Sequence, residues 1–290
     1  MKIEIKNIAG YEPKTVVCYS GGHSSAICAI NAVLRHGKES VILLNHDLSP
    51  EVESADIKRF KVEVAEYLGM DITYANHPEW ETMTPNKLAL KRGGFKFTTS
   101  PILCTYDLKT KPFYDWIKEN DPEHIHTYIY GFDNTPAERV RMNKRIAVMG
   151  EIGCKTDYPF ITWGELAVTE TEQVGIERPN TYDNFAHANC KGCHKAGWQH
   201  WYIVYVHERH LWEEMKQVEA EVGHSLKRDE YFEDKEPLFE QMLKAGVPTT
   251  EHIQSGKFWA DAKKAVREID QFELFDMQRH DEVACTSCTG

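Results

Sequence analysis

No stretch of this 290-residue sequence approaches the roughly 20 consecutive apolar residues of a membrane-spanning helix, so no membrane partner is expected. The first residues, Met1-Lys-Ile-Glu-Ile-Lys-Asn7, lack the apolar core of a secretory leader, and the expected location is the cytoplasm. Positive charge is scarce. Lys and Arg number 34 against 45 Asp and Glu, a net charge of −11, which disfavours broad nonspecific binding to nucleic acid but leaves room for a local basic groove. A disulfide scaffold is not expected either. Eight cysteines without a secretion signal point to metal or redox chemistry in a reducing compartment. The hydrophobic fraction, 41%, is ordinary, and the length suffices for one large domain or a domain with an extension.

Strand-like and helix-like stretches alternate. Lys2–Lys6 reads as a short edge strand, Thr15–Tyr19 as a central strand, and Ala26–His36 as a helix closed by Gly37. Ser40–Asn45 is a second strand. Glu51–Leu68 has helical spacing, with Ile57, Phe60, Val64, Tyr67 and Leu68 on one face and Gly69 as its stop. Strands follow at Asp71–Ala75 and His126–Phe132, and a helix at Asn134–Met149. The pattern predicts an α/β fold: an open, mostly parallel sheet with helices on both faces, plus a helical C-terminal extension. Residues 1–175 are the expected nucleotide-binding domain and 176–290 a cysteine-containing helical region.

Ser20-Gly21-Gly22-His23-Ser24-Ser25 joins the central strand to the first helix. Two glycines let the backbone approach a ligand, and the first helical turn points N–H groups at it. Strand, glycine turn and helix start make an anion cradle, although an ordinary βα loop can look the same. Asp47, after the second strand, is placed to meet a ribose or to offset phosphate charge through Mg; a turn or helix-cap role is the plain alternative. The stretch from His77 to Pro101 reads as a lid or substrate loop, locally basic through Lys87, Lys91, Arg92 and Lys96.

Ser20-Gly-Gly-His-Ser-Ser25 resembles the PP-loop, Ser-Gly-Gly-x-Asp-Ser, of the adenine nucleotide alpha hydrolase superfamily. Ser24 stands where that pattern has Asp. Cys104-Thr-Tyr-Asp-Leu-Lys109-Thr-Lys111-Pro-Phe113 and Pro179-x-x-Tyr-Asp followed by Asn-Cys190-Lys-Gly-Cys193 are similar to motifs of the PAPS (phosphoadenylyl sulfate) reductase-like family within it. The iron–sulfur branch has two adjacent cysteines where this chain has Cys104-Thr105. Reductases often carry Gly-x-Arg after the fourth strand, where this chain has Gly131-Phe-Asp133. The likeness spans about Thr15 to Trp201.

The resemblance implies an adenine-nucleotide site made of Ser20, Gly21, Gly22, His23, Ser24, Ser25, Asp47, Gly131 and Asp133, with Lys111, Arg139 and Arg141 as anion contacts and Lys109 as a catalytic cation. ATP with Mg, or another adenine nucleotide, is the expected cofactor. For the cysteines two readings stand. Cys104, Cys190 and Cys193 hold a 4Fe–4S cluster, with Cys285 or Cys288 as a fourth ligand or as a reacting thiol. Alternatively Cys190, Cys193, Cys285 and Cys288 close a zinc site. Cys18, Cys28 and Cys154 read as packing residues, and Trp201, Trp212 and Trp259 as core. The expected activity is ATP-dependent adenylation with sulfur transfer to an acceptor, RNA or DNA among the possibilities. A reductase of adenylyl sulfates and a non-catalytic nucleotide sensor with a zinc-fixed tail are the alternatives.

Overall fold

The computed structural model describes residues 12–95, 102–228 and 230–269. The elements expected at Lys2–Lys6, the cation Lys96 and the tail thiols Cys285 and Cys288 lie outside the described residues.

Five strands form one sheet: β1 (Thr15–Cys18), β2 (Val41–Asn45), β3 (Ile72–Tyr74), β4 (Thr127–Ile129) and β5 (Lys155–Asp157). Their order is β3-β2-β1-β4-β5, and every pairing is parallel. Thr15 of β1 lies opposite Val41 on one side and Thr127 on the other. Between them run α1 (His23–His36), α2 (Ala55–Leu68), α3 (Pro85–Arg92), a single turn α4 (Leu103–Thr105), α5 (Lys111–Asn120) and α6 (Pro136–Glu151), and the short α7 (Pro159–Thr162) follows β5.

Alternation along the strands builds two cores. Val17, Leu43 and Ile129 pack with Ala29 and Ile30 of α1 and with Phe60 and Val64 of α2. Val16, Leu44 and Tyr128 face the other way, onto Phe113, Trp116 and Ile117 of α5 and Met149 of α6. A sheet covered on both faces has no polar side, which is why Val16-Val17-Cys18 and Ile42-Leu43-Leu44 read as unbroken apolar runs.

A third core belongs to α8 (Trp198–His207), α9 (Arg209–Val222), α10 (Phe232–Lys244) and α11 (Ser255–Ile269). Trp201 and Trp212 set their rings 4.5 and 4.7 Å from that of Phe232, close aromatic packing that adds to the area buried. Trp201, Trp212 and Trp259 are core residues, as expected. Val52, Ala89 and Phe95, from before α8, also belong to this core. Among the described residues, no helix is long and apolar enough to cross a membrane.

Three differences from expectation have local causes. Within the expected loop at residues 77–101 stands α3: Thr84 caps it by accepting from the Lys87 N–H, Pro85 begins it, and Gly93 ends it in the left-handed region. β5 gave no apolar signal because Lys155-Thr-Asp157 sits at the sheet edge and pairs through its backbone alone. Tyr67, expected to face inward, is exposed, because α2 buries Ile57, Phe60, Lys61, Val64 and Ala65 and packs Leu68 against the same core.

Candidate active site

Strand order reverses between β1 and β4, and a crevice opens there beyond the carboxyl ends of the strands. A cavity of about 450 Å³ occupies it. Its floor is the expected loop: Ser20, Gly22, His23, Ser24 and Ser25, with Gly131 and Asp133 from the end of β4.

The loop is shaped by specific contacts. Gly21 has φ +80°, a conformation natural to glycine, and a Cβ there would lie 2.6 Å from Lys61 Cγ. Gly22 is the N-cap of α1 and offers no side-chain acceptor to the first turn. One of the first-turn donors, the His23 N–H, is taken by the Tyr182 hydroxyl at 2.9 Å. The Ser24 and Ser25 N–H groups have no acceptor within the helix and add to its dipole at this end. Ser20 Oγ donates to Ser25 Oγ (3.2 Å), which donates to the Gly22 carbonyl (2.7 Å), so the turn is braced by its own serines.

Gly131 brings the second strand end in. A Cβ at this position would lie 2.8 Å from the Ser24 carbonyl carbon and the Ser25 nitrogen, so only glycine allows β4 to abut α1 so closely. Asp133 then accepts a 3.0 Å hydrogen bond from Ser24 Oγ. The carboxylate beside Ser24 thus comes from another strand end, two residues past Gly131.

The cavity wall carries charge of both signs. Arg141 pairs with Glu138 at 2.5 Å, and Arg178 with Glu170. His23 Nε2 lies 3.4 Å from Glu170 and 3.7 Å from Glu172, and accepts from the Thr171 N–H. Burial and the Arg178 charge hold the His23 pKa below its ordinary value, against the opposing pull of the two glutamates and Asp133.

Other expected contacts stand apart from this cavity. Asp47 accepts from Lys58 (2.5 Å) and from Lys61 (2.8 Å), and both lysines also pair with Glu53. Glu53 and Lys61 of this quartet are buried, Asp47 and Lys58 partly so, and the Lys61 stem lies against Gly21 of the turn. Burial pushes the Asp47 pKa up, yet the hydrogen bonds from Lys58 and Lys61 prevail and hold it below the usual carboxylate range. Lys111 pairs with Asp115, and Arg139 donates to Asn134 Oδ1; neither lines the cavity. Lys87, Lys91 and Arg92 pair with Glu51, Glu79 and Asp107. Lys109 lines a second, water-sized cavity of about 30 Å³ with Ser20, His46, Glu53 and Ala188.

Cys104 and Cys190 pack against one small apolar cluster formed by Leu48, Leu88, Leu103 and Leu108. Cys193 is buried. The peptide from Ala186 to Asn189, which leads into Cys190, is part of the large cavity's wall. The thiol region and the loop site are therefore adjacent.

Reading the sequence alone missed Arg178, Glu138, Glu170, Phe160 and His252 of the cavity wall. None carries a local pattern; each comes from a segment that only folding brings round. Tyr182 had a signal, since it is the tyrosine of Pro179-x-x-Tyr-Asp, but its bond to the His23 N–H is a tertiary fact. Compared with protein-family models, with curated proteins and with solved structures, the chain matches none.

Proposed function

We propose that the cavity between β1 and β4 binds the phosphates of an adenine nucleotide, and that the chain is a PAPS reductase-like PP-loop enzyme that activates a substrate oxygen by adenylation. The observation carrying this reading is the junction of the glycine turn, the α1 N-terminus and the Asp133 carboxylate at the point where strand order reverses. In the proposed reaction the substrate oxygen attacks the α-phosphorus of ATP. The bond to the bridging oxygen of the β-phosphate breaks, and pyrophosphate leaves. First-turn N–H groups and Arg141 and Arg178 would offset the charge developing on the phosphates. A sulfur nucleophile then displaces AMP from the activated carbon.

The oxygen donors Asp133 and Ser24 suit Mg, which when bound supplies phosphate charge neutralisation. The soft donors Cys104, Cys190 and Cys193 suit a 4Fe–4S cluster with Cys285 or Cys288 as fourth ligand, and alternatively Cys190, Cys193, Cys285 and Cys288 suit zinc. Such a centre, beside the nucleotide, would hold or deliver the sulfur.

The carboxylates favour ATP over an adenylyl sulfate. Asp133, Glu138 and Glu170 would repel a sulfate group that arrives without a cation, whereas a triphosphate arrives with Mg. Calorimetric titration with ATP, in the presence and absence of Mg, tests the reading. Gly22 has φ −83°, so a side chain is tolerated by the backbone, but its Cβ would meet the Tyr182 hydroxyl at 3.2 Å. Gly22→Val should fold and bind ATP at least about tenfold more weakly, a loss of about 1.4 kcal/mol. Equal ATP affinity in the two proteins, or tighter binding of adenylyl sulfate than of Mg-ATP by the native chain, would exclude it.

A further inference from the structure

At the opposite edge of the sheet, where β4 and β5 begin, a second group of potential ligands converges. Asp121 ends α5, His124 lies in the turn before β4, and Cys154 immediately precedes β5. His124 Nδ1 is 3.1 Å from Cys154 Sγ, and one carboxylate oxygen of Asp121 lies within 4.8 Å of both. Asp121 and Cys154 are buried, at 0% and 6% exposure.

We propose that Asp121, His124 and Cys154 form a zinc site with an open fourth position, joining the α5–β4 turn to the entry of β5. Thiolate, imidazole and carboxylate are the three protein donors zinc takes, and a water completes a tetrahedron. With Zn–S near about 2.3 Å and Zn–N near about 2.0 Å, the S···N edge of a tetrahedron is about 3.5 Å. The observed 3.1 Å needs only a small opening. Charge balances as well: one thiolate and one carboxylate neutralise a divalent cation, and the imidazole stays neutral.

The outer contacts fix the ligands. Asp121 accepts from the Ile125 N–H (2.8 Å) and the Tyr128 hydroxyl (2.9 Å), which set its carboxylate plane. His124 has φ +51°, an uncommon conformation for a non-glycine residue, and it is this turn that aims the ring at Cys154. The site shares no residue with the nucleotide cavity, so it stands or falls independently of the proposed function.

Zinc content of the full chain, measured by elemental analysis after equilibration with zinc and desalting, tests the proposal. His124→Asn keeps a residue that tolerates the left-handed conformation, and Cys154→Ser removes the thiolate. Each variant should bind one zinc equivalent fewer than the native chain while its far-ultraviolet circular dichroism is unchanged. Any zinc held at Cys190 and Cys193 would be common to all three proteins and cancel. A native chain that binds no zinc, or folded variants with undiminished zinc content, would overturn the site.

Discussion

Ser24 Oγ donates a 3.0 Å hydrogen bond to Asp133 Oδ1, linking the loop after β1 to the loop after β4. Each residue is a departure from the family pattern that the sequence resembles: Ser replaces an acid, and Asp replaces an arginine. In space the two residues meet, a hydroxyl from one strand end donating to a carboxylate from the other.

Exchange of the pair follows from this geometry. Asp133→Ala should weaken Mg-ATP binding by about tenfold to a hundredfold, the effect of losing one contact to a charged group. Ser24→Asp combined with Asp133→Ser should recover most of that loss, since the carboxylate then returns to position 24. Calorimetry of the three variants checks this; a double variant no better than Asp133→Ala would show that the acid at 133 has a different role.

The quartet of Asp47, Glu53, Lys58 and Lys61 carries a stability prediction. Lys61 has a side chain only 2% exposed, with both carboxylates 2.8 Å from its Nζ. Lys61→Met leaves Asp47 and Glu53 buried with one cation fewer and should cost about 3–5 kcal/mol. The midpoint of urea unfolding should fall without a change in its slope. A loss below about 1 kcal/mol would mean that Lys58 alone balances both acids.

Acid should act through His194. It is buried, with Nε2 2.7 Å from Asn86 Oδ1, and burial together with the Lys227 charge pulls its pKa down to about 3. In the unfolded chain the value returns to about 6.5. Above that pH the stabilisation is fully present. As pH falls toward 3 the unfolded chain binds a proton that the folded chain refuses, and stability drops by about 1.4 kcal/mol per pH unit. His194→Gln should remove one proton's worth of this slope. Urea unfolding from pH about 6.5 to about 4.5 measures it, and an unchanged slope would locate the proton uptake elsewhere.

The glycine turn, the strand–helix alternation and the aromatic core of the C-terminal helices were legible in the sequence, because each rests on spacing between near neighbours. Strand period and loop length by themselves place Ser20–Ser25 at a helix start, and Gly69 ends α2 by the same local rules, whereas its start, expected at Glu51, falls at Ala55 after the Ser54 cap. What neighbours cannot encode is which distant segment meets the loop. Gly131 against the α1 backbone, Tyr182 on the His23 N–H and Asp133 on Ser24 join residues more than a hundred positions apart. The same limit hid the fate of Asp47: its sequence position allows a ligand contact, but two lysines one and two turns along the following helix claim it first. α3 was missed for a different reason, since Thr84-Pro85 and Gly93-Gly94 are turn residues as readily as helix caps, and only its packing against α9 and α4 decides between them. Local chemistry chose the elements; the parallel sheet, by reversing its order between β1 and β4, decided which of their ends share a cavity.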